Sequence, residues 1–178
     1  SITMLALVLP PTVLGYYLLT LFGRQGLGPF LEQAFGLRNV FALPGAVLAA
    51  TVAAIPLVVQ AVRAGFSVVS KEIENAARVD GCTEWQVFLL IDLKIAWRGI
   101  LAGGVLGFLR ALGDFGATLM IAGNIPGRTR TLAMVIYDAV QTNDLAQATQ
   151  LVLLLSSMVF ALLFVAMRLS AKLSKDAV

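Results

Sequence analysis

The stretch that decides how this chain folds is ENAARVDGCTEWQVFLLIDLK, residues 74–94. It carries Glu74, Arg78, Asp80, Glu84, Asp92 and Lys94, whereas the whole chain is 59% hydrophobic and only 13% charged. Mean hydropathy is +0.89, and a soluble domain normally holds about a quarter charged residues. The contrast marks a membrane chain with one polar, helix-forming island. Ser70 is placed to cap a helix start, with Glu72 and Glu74 in the turns where the helix dipole favours acids. Arg78 falls in the last turn, and Gly81 suits the position just past the end. Thr83 and Gln86 form a capping box that opens a second helix, given a greasy side by Trp85, Phe88, Leu89 and Ile91. The island is expected to be two short helices parted by a glycine. Ala76, Ala77 and Gly81 offer a small-residue face on which another backbone or a pocket wall can close. An ordinary loop folded onto its own membrane helices would have the same composition.

On either side lies apolar sequence. A bilayer-spanning helix needs about 20 mostly apolar residues, and four stretches qualify, near 2–22, 41–62, 99–122 and 145–167. The fold class expected is all-α, a polytopic membrane helix bundle in a single transmembrane domain over 1–178. The loop 63–98 and its flanks hold Arg63, Lys71, Arg78, Lys94 and Arg98, and the tail adds Arg168, Lys172 and Lys175. The opposite side has Arg24, Arg38, Arg128 and Arg130. The positive-inside rule places the loop and the C-terminus in the cytoplasm. Two outer segments, GLGPFLEQAFGL (26–37) and TLAMVIYDAV (131–140), read as apolar helices too short to span. In the first, Phe30, Leu31, Ala34 and Phe35 share a face.

Several features inside the spans have two readings. Pro10 and Pro11 in the first span, and Pro44 and Pro56 in the second, read as simple kinks, or the Pro10–Pro11 break faces a pathway. Arg110 and Asp114 sit in the third apolar run, where each charge costs roughly 2.5–3.5 kcal/mol on insertion scales. Four residues apart on one helix face, they either neutralise each other or touch a solute path. Gly99, Gly103 and Gly107 make overlapping G-x-x-x-G steps, which pack within the subunit or against a second copy.

Composition also excludes. Thirteen Lys+Arg against 10 Asp+Glu give a net charge of +3, spread along the chain, so nucleic acid is not an expected partner. There is no histidine, and the single Cys82 reads as a free thiol. No catalytic set, metal site or bound cofactor is expected, and no G-x-x-x-x-G-K-[ST] phosphate loop occurs. If ATP drives this chain, another polypeptide binds it.

The pattern A-A-x-x-x-G, nine residues, then I-x-L occurs here as Ala76, Ala77, Gly81, Ile91 and Leu93. It resembles the cytoplasmic EAA loop of ABC-importer permeases, the type I (MetI-like) fold. That family has Glu directly before the two alanines and Pro after the Leu. Here Asn75 and Lys94 stand there, with Glu74 one position earlier. The stretches LPPTVLGYYLL (9–19) and RALGDFGATLMIAGNIPGRTRTL (110–132) are similar to permeases of molybdate ABC importers. Relatives for sulfate and tungstate fit AGNIPGRT (122–129) less well. The resemblance implies a coupling helix over 71–81, with Glu74, Asn75, Ala76, Ala77, Arg78, Asp80 and Gly81 meeting a separate ATPase. It further implies a homodimer in the inner membrane, two ATPase subunits carrying ATP and Mg, an external oxyanion-binding protein and a further span upstream. Candidate path residues, from polarity and position, are Pro10, Thr12, Arg110, Asp114, Thr118 and Asn124. Asn124, Arg128 and Arg130 either dock the binding protein or form a solvated loop.

Two rivals fit less well. An intramembrane aspartyl protease needs a second embedded acid and G-x-G-D, but the segment reads ALGD and Asp138 lies in an outer loop. A proton-coupled carrier would show internal repeats and acid or His relays, and only Asp114 is available.

Overall fold

The structure is a computed structural model that describes residues 5–36 and 40–175. Regular structure among the described residues is helical: α1 (Leu5–Val8), α2 (Pro11–Phe22), α3 (Gly28–Phe35), α4 (Leu43–Phe66), α5 (Lys71–Val79), α6 (Glu84–Val87), α7 (Leu93–Leu112), α8 (Gly116–Ala122), α9 (Leu132–Gln141) and α10 (Leu145–Lys175). A π-helical turn, Phe88–Asp92, joins α6 to α7. The all-α membrane architecture is thus as the hydropathy pattern requires. By length and composition, Leu43–Phe66 and Leu145–Arg168 can each cross a bilayer. The helical run ending at Leu112 and Gly116–Ala122 are apolar enough only as a bent pair, which has the form of a broken span or a re-entrant loop.

Three expectations are revised by the backbone. The first apolar stretch is broken: α1 ends at Val8 and α2 begins at Pro11, where a missing N–H costs nothing. At 1.5 Å per residue, α2 alone is about 18 Å long, short of a bilayer core of about 30 Å. Residues 2–4 of that stretch, and Leu37 and Arg38 of the outer loop, lie outside the described residues. The stretch 99–122 is also broken, by a 62° bend at a break after Leu112. Third, the island's second helix does not end. No Gly or Pro interrupts 84–98, so α6 runs through the π turn into α7, where the Leu93 N–H donates to the Phe88 carbonyl.

The chain divides into two compact units. One falls within Ser1–Pro56 and Phe108–Ala161. In it α2 packs on α8 around Leu14, Leu18, Ala46, Ala49, Ala53, Ala117, Ile121 and Ala122. Small residues let these helices approach closely: a Cβ on Gly15 would stand 2.8 Å from Ala117 Cα. The Phe41 N–H donates to the Ile121 carbonyl at 2.9 Å, tying the start of α4 to α8.

The other unit falls within Leu57–Gly107 and Leu162–Val178. Here the end of α4 meets α7 at Gly65 and Gly99, where a Cβ on Gly65 would lie 2.7 Å from Gly99 Cα. A Cβ on Gly103 would press on the Val58 carbonyl at 3.1 Å. The G-x-x-x-G question is therefore answered for Gly99 and Gly103: they pack within the subunit. Phe66 stacks on Phe88 at 6.1 Å between ring centroids, and Trp85 meets Phe88 edge-on.

Candidate functional site

Local sequence builds α5 almost unaided. The Ser70 hydroxyl accepts from the Glu72 N–H at 3.2 Å, Glu72 and Glu74 occupy the first turn, and Arg78 the last. The chain then reverses through Gly81, at φ +88°, a left-handed conformation that favours glycine. The Cys82 N–H closes the turn on the Ala77 carbonyl at 3.0 Å. The capping box is present, with the Thr83 N–H donating to Gln86 Oε1 at 2.8 Å. Glu74, Asn75, Ala76, Ala77, Arg78, Asp80 and Gly81 thus lie together on one short helix and its exit turn. No side chain of α5 is buried, and Val79, Trp85 and Ile73 stand exposed around it.

Arg78 ties this helix to the next. Its Nε donates to Glu84 Oε1 at 2.7 Å and its Nη2 to Glu84 Oε2 at 3.1 Å, a two-pronged grip. Nη1 donates to Asn75 Oδ1 at 3.0 Å, and Nη2 also reaches Glu74 Oε2 at 3.3 Å. The grip raises the Arg78 pKa and holds the Glu84 carboxyl below the usual carboxylate range. Asn75, standing where the EAA pattern has Glu, is an acceptor for Arg78. Asp92, in the π turn, has its Oδ1 buried with no hydrogen-bond partner. Burial pushes its carboxyl up, Glu74 and Glu84 add to the shift, and Arg78 offsets part of it.

A second constellation occupies the break between α7 and α8. Spacing correctly paired Arg110 with Asp114, but not on a shared helix, since α7 ends at Leu112. Arg110 Nη1 donates to Asp114 Oδ1 at 3.3 Å. Asp114 Oδ2 accepts from the Thr118 N–H at 3.0 Å and from the Thr118 hydroxyl at 2.7 Å. The carboxylate, 2% exposed, therefore satisfies the first turn of α8, where negative charge is favoured. Pro10 and Thr12 are exposed at the other break, and the two breaks adjoin: a Cβ on Gly116 would lie 3.0 Å from Pro11 Cβ and 3.3 Å from the Thr12 nitrogen.

Asn124 belongs to a different cluster. Its Nδ2 donates to Asp138 Oδ2 at 2.8 Å and its Oδ1 accepts from Arg130 Nε at 3.0 Å. Arg130 Nη2 closes the triangle on Asp138 Oδ2 at 2.7 Å. Buried Thr129 organises the loop, accepting from the Ile125 N–H and donating to the Gly123 carbonyl, both at 3.1 Å. Arg128 is exposed. Sequence reading set Asp138 aside as an outer-loop acid and did not single out Thr129. The partnership spans 14 positions, and no periodicity signals it. Among the described residues, no group of three or more acidic, Cys or His side chains is arranged to hold a metal.

Comparison with known proteins agrees with this architecture. The model of the family described as binding-protein-dependent transport system inner membrane component matches residues 1–177. A relative in Bacillus subtilis, named as a putative molybdenum transport system permease protein, is 42% identical over 162 residues, covering 90% of this chain and 71% of its own. The molybdenum transport system permease protein of Haemophilus influenzae is 45% identical over 146 residues (82% of this chain, 64% of that one). Its counterpart in Escherichia coli is 46% identical over 143 residues (80% and 62%). The chain thus spans roughly two thirds of the length of these relatives.

Proposed function

This chain belongs to the binding-protein-dependent transport system inner membrane components, and from that premise we propose that it passes an oxyanion of the molybdate class across the inner membrane by ATP-driven alternating access. The relatives above carry the name of molybdenum transport system permease protein, one of them as putative, which supports molybdate over sulfate. The observation that carries the coupling role is α5 itself: a capped helix that buries none of its side chains, followed by a glycine turn with open space around it. A helix held by its own caps, with none of its side chains buried, leaves its whole surface for a partner. In this reading Glu74, Asn75, Ala76, Ala77, Arg78, Asp80 and Gly81 dock into a cleft on a separate ATPase that carries ATP and Mg. The loop and the C-terminus face the cytoplasm in this reading, which the distribution of Lys and Arg supports.

Two copies of the permease enclose the path on a two-fold axis, the commonest closed symmetry of a homo-oligomer. An external binding protein delivers the oxyanion. Pro10, Thr12, Arg110, Asp114, Thr118 and Asn124 are proposed to stand along the route, with Arg128 free to meet the binding protein. The path itself binds weakly, since an ion held tightly could not leave. ATP drives the cycle by binding its two states unequally.

The test is uptake by proteoliposomes holding the permease, the ATPase and the binding protein. Molybdate uptake should need all three and ATP, and resist excess sulfate. Uptake without the ATPase would refute the reading. Gly81→Trp should abolish ATPase co-purification while leaving membrane insertion intact. A Cβ at Gly81 meets nothing within 4 Å, so a side chain there starts into open space. Gly81→Ala carries the same backbone strain without the bulk and should keep the complex.

A further inference from the structure

We propose that Arg78 is a positioning residue, a rigid brace that fixes the angle between α5 and the helix beginning at Glu84, so that motion delivered to α5 is transmitted and not absorbed at the turn. The inference rests on the coupling role proposed above, and it adds the part that makes the joint stiff.

Apart from the Cys82 N–H bond that closes the turn on the Ala77 carbonyl, the joint has little else to stiffen it. α5 and α6 are linked by residues 80–83, and the pivot, Gly81, has a left-handed φ of +88° with no atom within 4 Å of where a side chain would begin. α5 contributes no buried side chain, so no apolar core sets its direction. What crosses the turn between side chains is the Arg78 guanidinium. It reaches Glu84 with two parallel bonds of 2.7 and 3.1 Å, and is held from behind by Asn75 at 3.0 Å and Glu74 at 3.3 Å. A planar fork gripping a carboxylate at two points fixes orientation as well as distance, which one ammonium cannot do. Asn75 matters here because it is neutral: it orients the fork without competing for its charge.

Beyond Glu84 the chain is helical without interruption to Leu112, through the π turn. Glu84 is the first residue of that run. A brace on this position therefore acts at the end of a long lever, where a small angular freedom becomes a large displacement farther along. An exposed ion pair contributes little to stability, so a stabilising role does not account for four of the guanidinium's N–H bonds converging here. Setting an angle does.

The experiment uses the full permease with Cys82→Ser and spin labels at Lys71→Cys and Leu90→Cys, one on each side of the turn. The inter-label distance distribution should be narrow, broaden in Arg78→Met and Glu84→Gln, and broaden less in Arg78→Lys. The exchange Arg78→Glu with Glu84→Arg should narrow it again. In proteoliposomes with the ATPase and binding protein, ATP consumed per molybdate imported, counted over the assembled complexes alone, should rise by about fivefold or more in Arg78→Met. The exchange should restore the ratio. An unchanged distribution in Arg78→Met overturns the brace, and so does a broadened one with a wild-type ATP ratio. If the wild-type permease bound no ATPase, the proposed function would fail, while the distance measurement would still judge the brace.

Discussion

Two arginine–carboxylate pairs stand at two helix breaks in this chain, and they are built in opposite ways. Arg78 and Glu84 face solvent, with side chains 37% and 75% exposed, and meet through two short bonds. Arg110 and Asp114 meet through a single bond of 3.3 Å, with the carboxylate side chain 1% exposed. The first pair has good geometry in a medium that screens it. The second has modest geometry where little water remains, and Asp114 depends on Thr118 for its other oxygen. The difference separates two uses of the same chemistry. A screened, well-aimed pair sets an angle at little gain in stability. A buried charge must be satisfied, because the alternative is a stranded carboxylate.

The largest effect expected is therefore at the buried pair. Removing one partner of a buried pair costs about 3–5 kcal/mol, and Arg110→Met should fall near the low end because Arg110 keeps some solvent. Unfolding of the purified permease in mixed micelles measures it. Arg110→Met combined with Asp114→Asn should recover most of the loss, since Asn retains an acceptor for Thr118 and carries no charge. A double variant no better than the single one would break the comparison. Next in size is Thr118→Val, which keeps the shape and removes the hydroxyl donor. Leaving a buried acceptor short costs about 1–3 kcal/mol, and the α8 backbone N–H remains to limit the damage. Equal losses for Thr118→Val and Arg110→Met would mean that Asp114 serves the α8 terminus more than it serves Arg110.

How much of this was written in the sequence differs between the breaks. The α5 turn was legible almost residue by residue, because caps are local: Ser70, Thr83, Gln86 and Gly81 each act within a few positions of themselves. The expectation failed only where a signal was missing. Nothing marks the end of the helix after Thr83, and none occurs. The break at 113–115 was hidden by averaging, since hydropathy over 99–122 stays high while Asp114 turns onto Thr118. Arg110 and Asp114 were paired correctly from their spacing, though the spacing assumed a helix that stops before Asp114. The Asn124–Arg130–Asp138 triangle was out of reach, because tertiary folding closes it.

The smallest effect has the opposite sign and sits beside the exposed pair. Asp92 has a buried Oδ1 without a partner, and its carboxyl is pushed up by burial, with Glu74 and Glu84 adding to the shift. A folded-state value above the unfolded one means that protonation favours the fold. That contribution is present below the ordinary Asp range and is lost as pH rises through the raised value, so at neutral pH the charged form is a liability. Glu84 runs the other way: held low by Arg78, its contribution is present above the ordinary Glu range and is lost as pH falls through the lowered value. Asp92→Asn should therefore raise the thermal midpoint at neutral pH and lose that advantage in acid, while Glu84→Gln should do neither. Thermal unfolding in detergent across that pH range measures both. If Asp92→Asn were destabilising at neutral pH, the carboxylate would have a partner that this conformation does not contain, and the exposed joint would hold a second charge pair instead of one.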